Sequence, residues 1–152
     1  MTDYALLCEQ LKESAKGVRY GITVLANASA LVNETLENIN WAGFYQMLDG
    51  ALWLGPFQGK PACTVIAPGK GVCGTAAMTG RVQRVADVHA LAGHSACDSA
   101  TNAEIVIPLN VHGVLFGVLD IDSPLPDRFS QEDEEGLCLF ARQLEYILEA
   151  LP

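Results

Sequence analysis

Along the first forty positions apolar residues recur every three or four places. Leu6, Leu7, Leu11 and Ala15 make one stripe, and after Gly17 a second runs through Ile22, Leu25, Ala28, Leu31, Val32, Leu36 and Ile39. That spacing is the 3.6-residue period of an amphipathic helix, so two helices are predicted. Between Trp41 and about Gln58 the period drops to two: Trp41, Gly43 and Tyr45 share one face, and Ala42, Phe44 and Gln46 take the other. Asp49-Gly50, lying between two strand-like runs, predicts a tight hairpin.

The pattern continues in short pieces. Thr64–Ala67 reads as a strand ending at Pro68-Gly69, Val72–Met78 as a short helix closed by Gly80, and Val82, Arg84 and Ala86 as one face of a further strand. From Asp87 to Asn102 the residues are small and show no sustained period, and loops of that length in compact domains are functional or disordered. Glu104–Leu109 and Val114–Asp122 alternate around Asn110–Gly113 as a second hairpin. The latter strand is apolar on both faces, which predicts a central place in the sheet. Ser130-Gln-Glu-Asp133 resembles a capping box without the usual acid at the third helical position. It opens a helix with Leu137, Phe140, Leu144, Ile147 and Leu148 on one stripe. The order predicts an α+β fold: about six antiparallel strands with N- and C-terminal helices packed on the sheet.

Composition narrows the classes. The 152 residues are expected to form one domain over 1–152. A domain of about 150 residues buries roughly 68–70% of its unfolded surface, enough to need no metal or disulfide for stability. Nine basic against eighteen acidic residues leave a net charge of −9. A field of that sign repels phosphate backbones and anionic lipid, so no nucleic-acid or membrane partner is expected. Half the residues are hydrophobic, which excludes a disordered chain. The N-terminus lacks a basic stretch followed by an apolar core, and no run approaches the ~18–20 apolar residues of a membrane span. The expected location is cytoplasmic, where Cys8, Cys63, Cys73, Cys97 and Cys138 rest as thiols.

Several residues carry candidate chemistry. Asp120 and Asp122, two apart on a strand, point to one face, preceded on it by Val114, Phe116 and Val118. Two acids ending an apolar stripe suit a ligand ammonium, and crowding keeps one of them protonated. Glu104 opens the neighbouring strand and reaches toward the same place, while Trp41 and Tyr45 share a face able to wall in an apolar group. Cys97 sits among small residues that leave its sulfur accessible. Cys73 falls at the N-terminus of the predicted short helix, where the dipole favours a thiolate, whereas Asp98 disfavours one at Cys97. From charge alone, Cys73 is the better nucleophile. Cys8 and Cys138 lie on helical stripes and read as packing residues. No C-x-x-C or paired-His spacing supports a metal site from Cys63, Cys73, Cys97 and His94, so no metal is expected. His89, His94 and His112 read as solvated. Gly69, Gly71 and Gly74 lack the spacing and final Lys-Ser/Thr of a phosphate loop.

The pieces NWAGFYQ, LGPFQGKPACTVI, GKGVCGTAA, HSACDS, AEIVIPL and GVLDIDSP, in this order, closely resemble the free methionine-(R)-sulfoxide reductases, which are single-domain GAF proteins. The resemblance covers about Tyr20 to Leu148, and the trio Cys63, Cys73 and Cys97 is its specific part. It implies a GAF-like fold and an enzyme that reduces the free amino acid without a cofactor. Cys97 would then attack the sulfoxide sulfur, release methionine and become a sulfenic acid. Cys63 would condense with it to a disulfide, with Cys73 as a third, alternative resolving thiol and thioredoxin as reductant. Trp41, Tyr45, Glu104, Asp120 and Asp122 carry over as pocket residues, and the fold resemblance suggests a homodimer through the N-terminal helices. On this reading Cys97 replaces Cys73 as nucleophile, against the charge argument. A bridge across the intervening ~34 residues would cost about 3.8 kcal/mol to close in a random chain, so the fold must bring the sulfurs near one another. A movement of the Cys97 loop is expected to complete the cycle.

Two other classes compete. A GAF sensor binding a small ligand predicts an output domain for which 152 residues leave no space. A peroxide-sensing thiol switch would form the same disulfide without turnover.

Overall fold

The structure, a computed structural model, describes residues 1–91 and 98–152. Two helices, α1 (Tyr4–Ala15) and α2 (Gly21–Thr35), precede strands β1 (Trp41–Leu48), β2 (Ala51–Gly59) and β3 (Val65–Ile66). Helix α3 (Gly71–Thr79), strand β4 (Gln83–Val85) and a 3-10 turn (Val88–Ala90) follow. The chain ends with β5 (Ala103–Val111), β6 (Val114–Ser123) and helix α4 (Gln131–Glu149). The six strands form one antiparallel sheet in the order β3-β2-β1-β6-β5-β4, so the doubly apolar β6 is central, as its pattern requires.

Strand alternation divides the interior into two cores. Ala42 and Phe44 of β1, Ile105 and Ile107 of β5, and Leu119 and Ile121 of β6 face the larger one. There Leu7, Leu11, Val24, Ala28, Val32, Phe140 and Leu144 of α1, α2 and α4 cover the sheet. The intervening residues Trp41, Tyr45, Val106 and Val118 face the opposite side and pack with Leu52, Val72, Cys73 and Val88 in a smaller core. Among the described residues, α3, the 3-10 turn and the connections cover that side, and this leaves room for a cavity.

Local chemistry explains the element ends. Asp3 caps α1, its carboxylate accepting from the Leu6 N–H at 3.0 Å. The second apolar stripe continues to Ile39, but α2 stops at Thr35; Asn38 takes a positive φ of 58° and turns the chain into β1. Asp49 and Gly50 both adopt positive φ, 50° and 78°, the twist that matches a two-residue hairpin. The capping box of α4 is complete. Ser130 accepts from the Asp133 N–H, and Asp133 accepts from the Ser130 N–H at 2.9 Å, so the shorter acid does the work of the usual Glu.

Two bulges alter the alternation. In β6, Leu109 pairs with Gly117 and Asn110 with Leu115, so Phe116 is an extra residue. It packs against the larger core, and Val114 beyond it is exposed. The single stripe expected from Val114 through Phe116 to Asp122 is therefore broken, because one inserted residue reverses the face of everything before it. In β2 an extra residue lies between Leu54 and Phe57, the partners of Tyr45 and Gly43. A Cβ on Gly43 would lie 2.3 Å from the Phe57 Cβ, so the glycine is what lets the strands approach.

Candidate active site

On the α3 side of the sheet a cavity of about 330 Å³ opens over the ends of β1, β5 and β6. Its floor is acidic. Glu104 on β5 and Asp120 and Asp122 on β6 alternate with the residues of the larger core, so all three carboxyls project into the cavity. Glu104 and Asp120 are 6% and 5% exposed. Burial comes first among the causes that push all three carboxyls well above the usual carboxylate range. Mutual repulsion comes next: Asp120 acts on Glu104, Asp122 on Asp120, and Glu104 on Asp122. One oxygen each of Asp120 and Asp122 has no hydrogen-bond partner among the described residues. A buried, unsatisfied acceptor is costly, and a cationic donor entering the cavity would satisfy it.

One wall is aromatic. Trp41 stacks on Tyr45 with ring centroids 6.0 Å apart and on Phe57 at 5.2 Å. Their polar ends hold the connection between β2 and β3: Trp41 Nε1 donates to the Lys60 carbonyl at 3.1 Å, and the Tyr45 hydroxyl donates to the Cys63 carbonyl at 2.8 Å. Cys63 lines the cavity on that connection and is disulfide-bonded. Cys97 lies outside the described residues, as does His94, and so does the expected loop movement.

Cys73 lies in the first turn of α3, but it is buried at 4% exposure, with its Sγ 3.9 Å from Oε2 of Glu104. Burial pushes its thiol well above the usual range, and the charges of Asp120, Glu104 and Asp122 push further. The charge argument that favoured Cys73 as a thiolate is thereby overturned. It counted the helix dipole and one flanking residue, and it could not see three carboxyls arriving from other strands. Cys8 and Cys138 are half-buried against the larger core, as packing residues would be.

Other residues of the site carried no signal in the sequence. Asn40 donates from its amide to Asp98 at 3.0 Å and to Thr101 at 3.1 Å, tying the start of β1 to the chain that follows residue 97. The Ala100 N–H, chiefly, and Asn40 hold Asp98 below the usual range, so it keeps its charge. Lys70 and Gly71, at the N-terminus of α3, line the cavity, and no side chain among the described residues caps that terminus. These residues supply positive potential facing the acidic floor.

Comparison with known proteins bears on this arrangement. A model of the GAF-domain family matches residues 7–148. The free methionine-R-sulfoxide reductase of Escherichia coli K12 is 52% identical over 145 residues, covering 95% of this chain and 88% of that protein. The reduced form of fRMsr of Staphylococcus aureus superposes with a TM-score of 0.94 at 47% identity, covering 97% of this chain and 96% of that one. The free methionine-R-sulfoxide reductase from Neisseria meningitidis, solved in complex with its substrate, gives a TM-score of 0.91 at 38% identity. That match covers 97% of this chain and 89% of that one.

Proposed function

As the chain belongs to the free methionine-R-sulfoxide reductase family of GAF-domain proteins, we propose that it reduces free methionine-(R)-sulfoxide to methionine in the acidic cavity. The observation that carries this reading is the meeting of a cavity-lining, disulfide-bonded Cys63 with three carboxyls, Glu104 and Asp120 buried and Asp122 half-buried, two of which hold oxygens unpartnered among the described residues.

The carboxyls have two tasks. An ionised member pairs with the substrate ammonium, which a methionine inside a chain lacks; selectivity for the free amino acid follows from the penalty of leaving the acids unpaired. A member kept neutral by burial supplies the proton that the departing sulfoxide oxygen requires. Trp41 and Tyr45 enclose the S-methyl group. The Cys97 thiolate bonds to the sulfoxide sulfur; the protonated oxygen then passes to the Cys97 sulfur as that S–S bond and the S–O bond break, which releases methionine and leaves Cys97 as a sulfenic acid. The Cys63 thiol then displaces that oxygen as water and closes the disulfide. Thioredoxin returns it to two thiols in the reducing cytoplasm. A thiol held protonated attacks slowly, so Cys63 is assigned resolution ahead of Cys73. The exposed Leu6 of α1, Tyr20 just before α2 and Ile22 of α2 are the surface assigned to a homodimer.

Coupled NADPH oxidation with thioredoxin and thioredoxin reductase, offering each sulfoxide epimer separately, tests the reading. Turnover is expected on the R epimer alone and is abolished in Cys97→Ser. Oxidation to the disulfide by peroxide without sulfoxide turnover would instead make the protein a thiol switch.

A further inference from the structure

With resolution assigned to Cys63, the proposed cycle leaves Cys73 at the cavity floor without a task. Its Sγ, an oxygen of Glu104 and an oxygen of Asp120 all lie within 4.8 Å of one another, and all three residues are buried. Tetrahedral coordination with metal–sulfur near 2.3 Å and metal–oxygen near 2.1 Å sets sulfur and oxygen roughly 3.6 Å apart. The Cys73–Glu104 separation is 3.9 Å, so a shift of a few tenths of an ångström completes that edge. A second observation is independent of the clustering. Oδ1 of Asp120, in a residue only 5% exposed, has no hydrogen-bond partner among the described residues. None of the salt bridges among the described residues involves these acids either.

We propose that Cys73, Glu104 and Asp120 form a site for one thiophilic divalent cation of the zinc and cadmium class, its remaining coordination position facing the cavity. The donor set selects the ion. Calcium takes six to eight oxygens and magnesium keeps a near-octahedral oxygen shell, whereas one thiolate with two carboxylates suits a borderline-soft ion. On binding, Cys73 and whichever of Glu104 and Asp120 is protonated give their protons to solvent as the metal–sulfur and metal–oxygen bonds form, with no change of oxidation state. The three ligands come from α3, β5 and β6, which is why no ligand spacing marks the site in the sequence. A cation seated there occupies the ground assigned to the substrate ammonium. That consequence rests on the reductase reading; the binding itself does not.

Titration with cadmium alone tests the site, read by the ultraviolet thiolate-to-cadmium charge-transfer band and by calorimetry. The disulfide form of the protein is used, in which Cys8, Cys73 and Cys138 are free. One cadmium per chain is expected, with the band retained in a Cys8→Ser/Cys138→Ser double variant and lost in Cys73→Ser. Asp120→Asn, checked for native circular dichroism, is expected to weaken binding by roughly 10–100-fold. No band in the unmodified protein, a band that persists in Cys73→Ser, or undiminished affinity in Asp120→Asn overturns the proposal. Because no sulfoxide is present, a failed turnover assay leaves the cation site standing, and an absent band leaves the reductase reading standing.

Discussion

Glu104 and Asp122 stand directly opposite one another across the β5–β6 ladder, and Asp120 lies one inward-facing position further along β6. Like charges placed opposite each other destabilise a sheet. Here Glu104 is buried and Asp122 half-buried as well.

The first expectation is a pH dependence of stability. All three carboxyls are raised above their ordinary values of 3.8 for Asp and 4.5 for Glu. The native state therefore binds more protons than the unfolded chain above those values. Their contribution is fully present below the ordinary values and is lost as pH rises through the raised ones. Thermal melts in a pH series should show a steeper decline as pH rises above the ordinary carboxylate values for the unmodified protein than for an Asp120→Asn/Asp122→Asn double variant. Parallel curves would contradict it.

Asp122→Asn trades binding for stability. Removing one charge from the opposed pair should stabilise by about 1 kcal/mol, a rise of roughly 2–4 °C in Tm for a chain of this size. The same change removes a partner of the proposed substrate ammonium, so kcat/KM should fall by roughly 10–100-fold. Calorimetry and steady-state assays on one preparation would register both.

Tyr45→Phe deletes the hydroxyl that holds the Cys63 carbonyl at 2.8 Å and keeps the aromatic wall. The lost hydrogen bond, about 1 kcal/mol, should slow disulfide closure by roughly fivefold while leaving the first methionine release nearly unchanged. Rapid-quench trapping of the sulfenic acid separates the two steps. An equal loss in both would show that the hydroxyl serves substrate instead.

Gly43→Ala forces a Cβ to 2.3 Å from that of Phe57 and to 2.8 Å from the Pro56 carbonyl oxygen. Phe57 stacks on Trp41, so the disturbance passes into the cavity wall. Overpacking of this kind costs about 1–3 kcal/mol, and denaturant unfolding should find it together with a raised KM.

The parts that were legible in the sequence follow from its two periods. The stripe of α4, Leu7 and Leu11 of the α1 stripe, and the alternation in β1, β5 and β6 record burial directly, whereas Leu6 of that stripe is exposed; β6 announced its central place by being apolar on both faces. The acids could be placed on one face for the same reason. What escaped was whatever depends on pairing between distant segments. The extra residue at Phe116 is defined only against β5, and the stacking of Phe57 on Trp41 only against β1. The environment of Cys73 comes from strands more than thirty residues away, and so the local dipole argument failed there. Asn40 has no periodic signature, because its partners Asp98 and Thr101 lie in irregular chain.

The acids project from β5 and β6, each paired on both sides within the sheet, whereas Cys63 rides on the irregular stretch between β2 and the two-residue edge strand β3. The proposed proton donors are thus built into the rigid frame, and the proposed resolving thiol is hung from its margin. In the proposed cycle, changes at Lys60 or Thr64, which flank the cavity-lining Pro61, Ala62 and Cys63 without lining it themselves, would retune how quickly the disulfide is regenerated while leaving the acidic floor as it is.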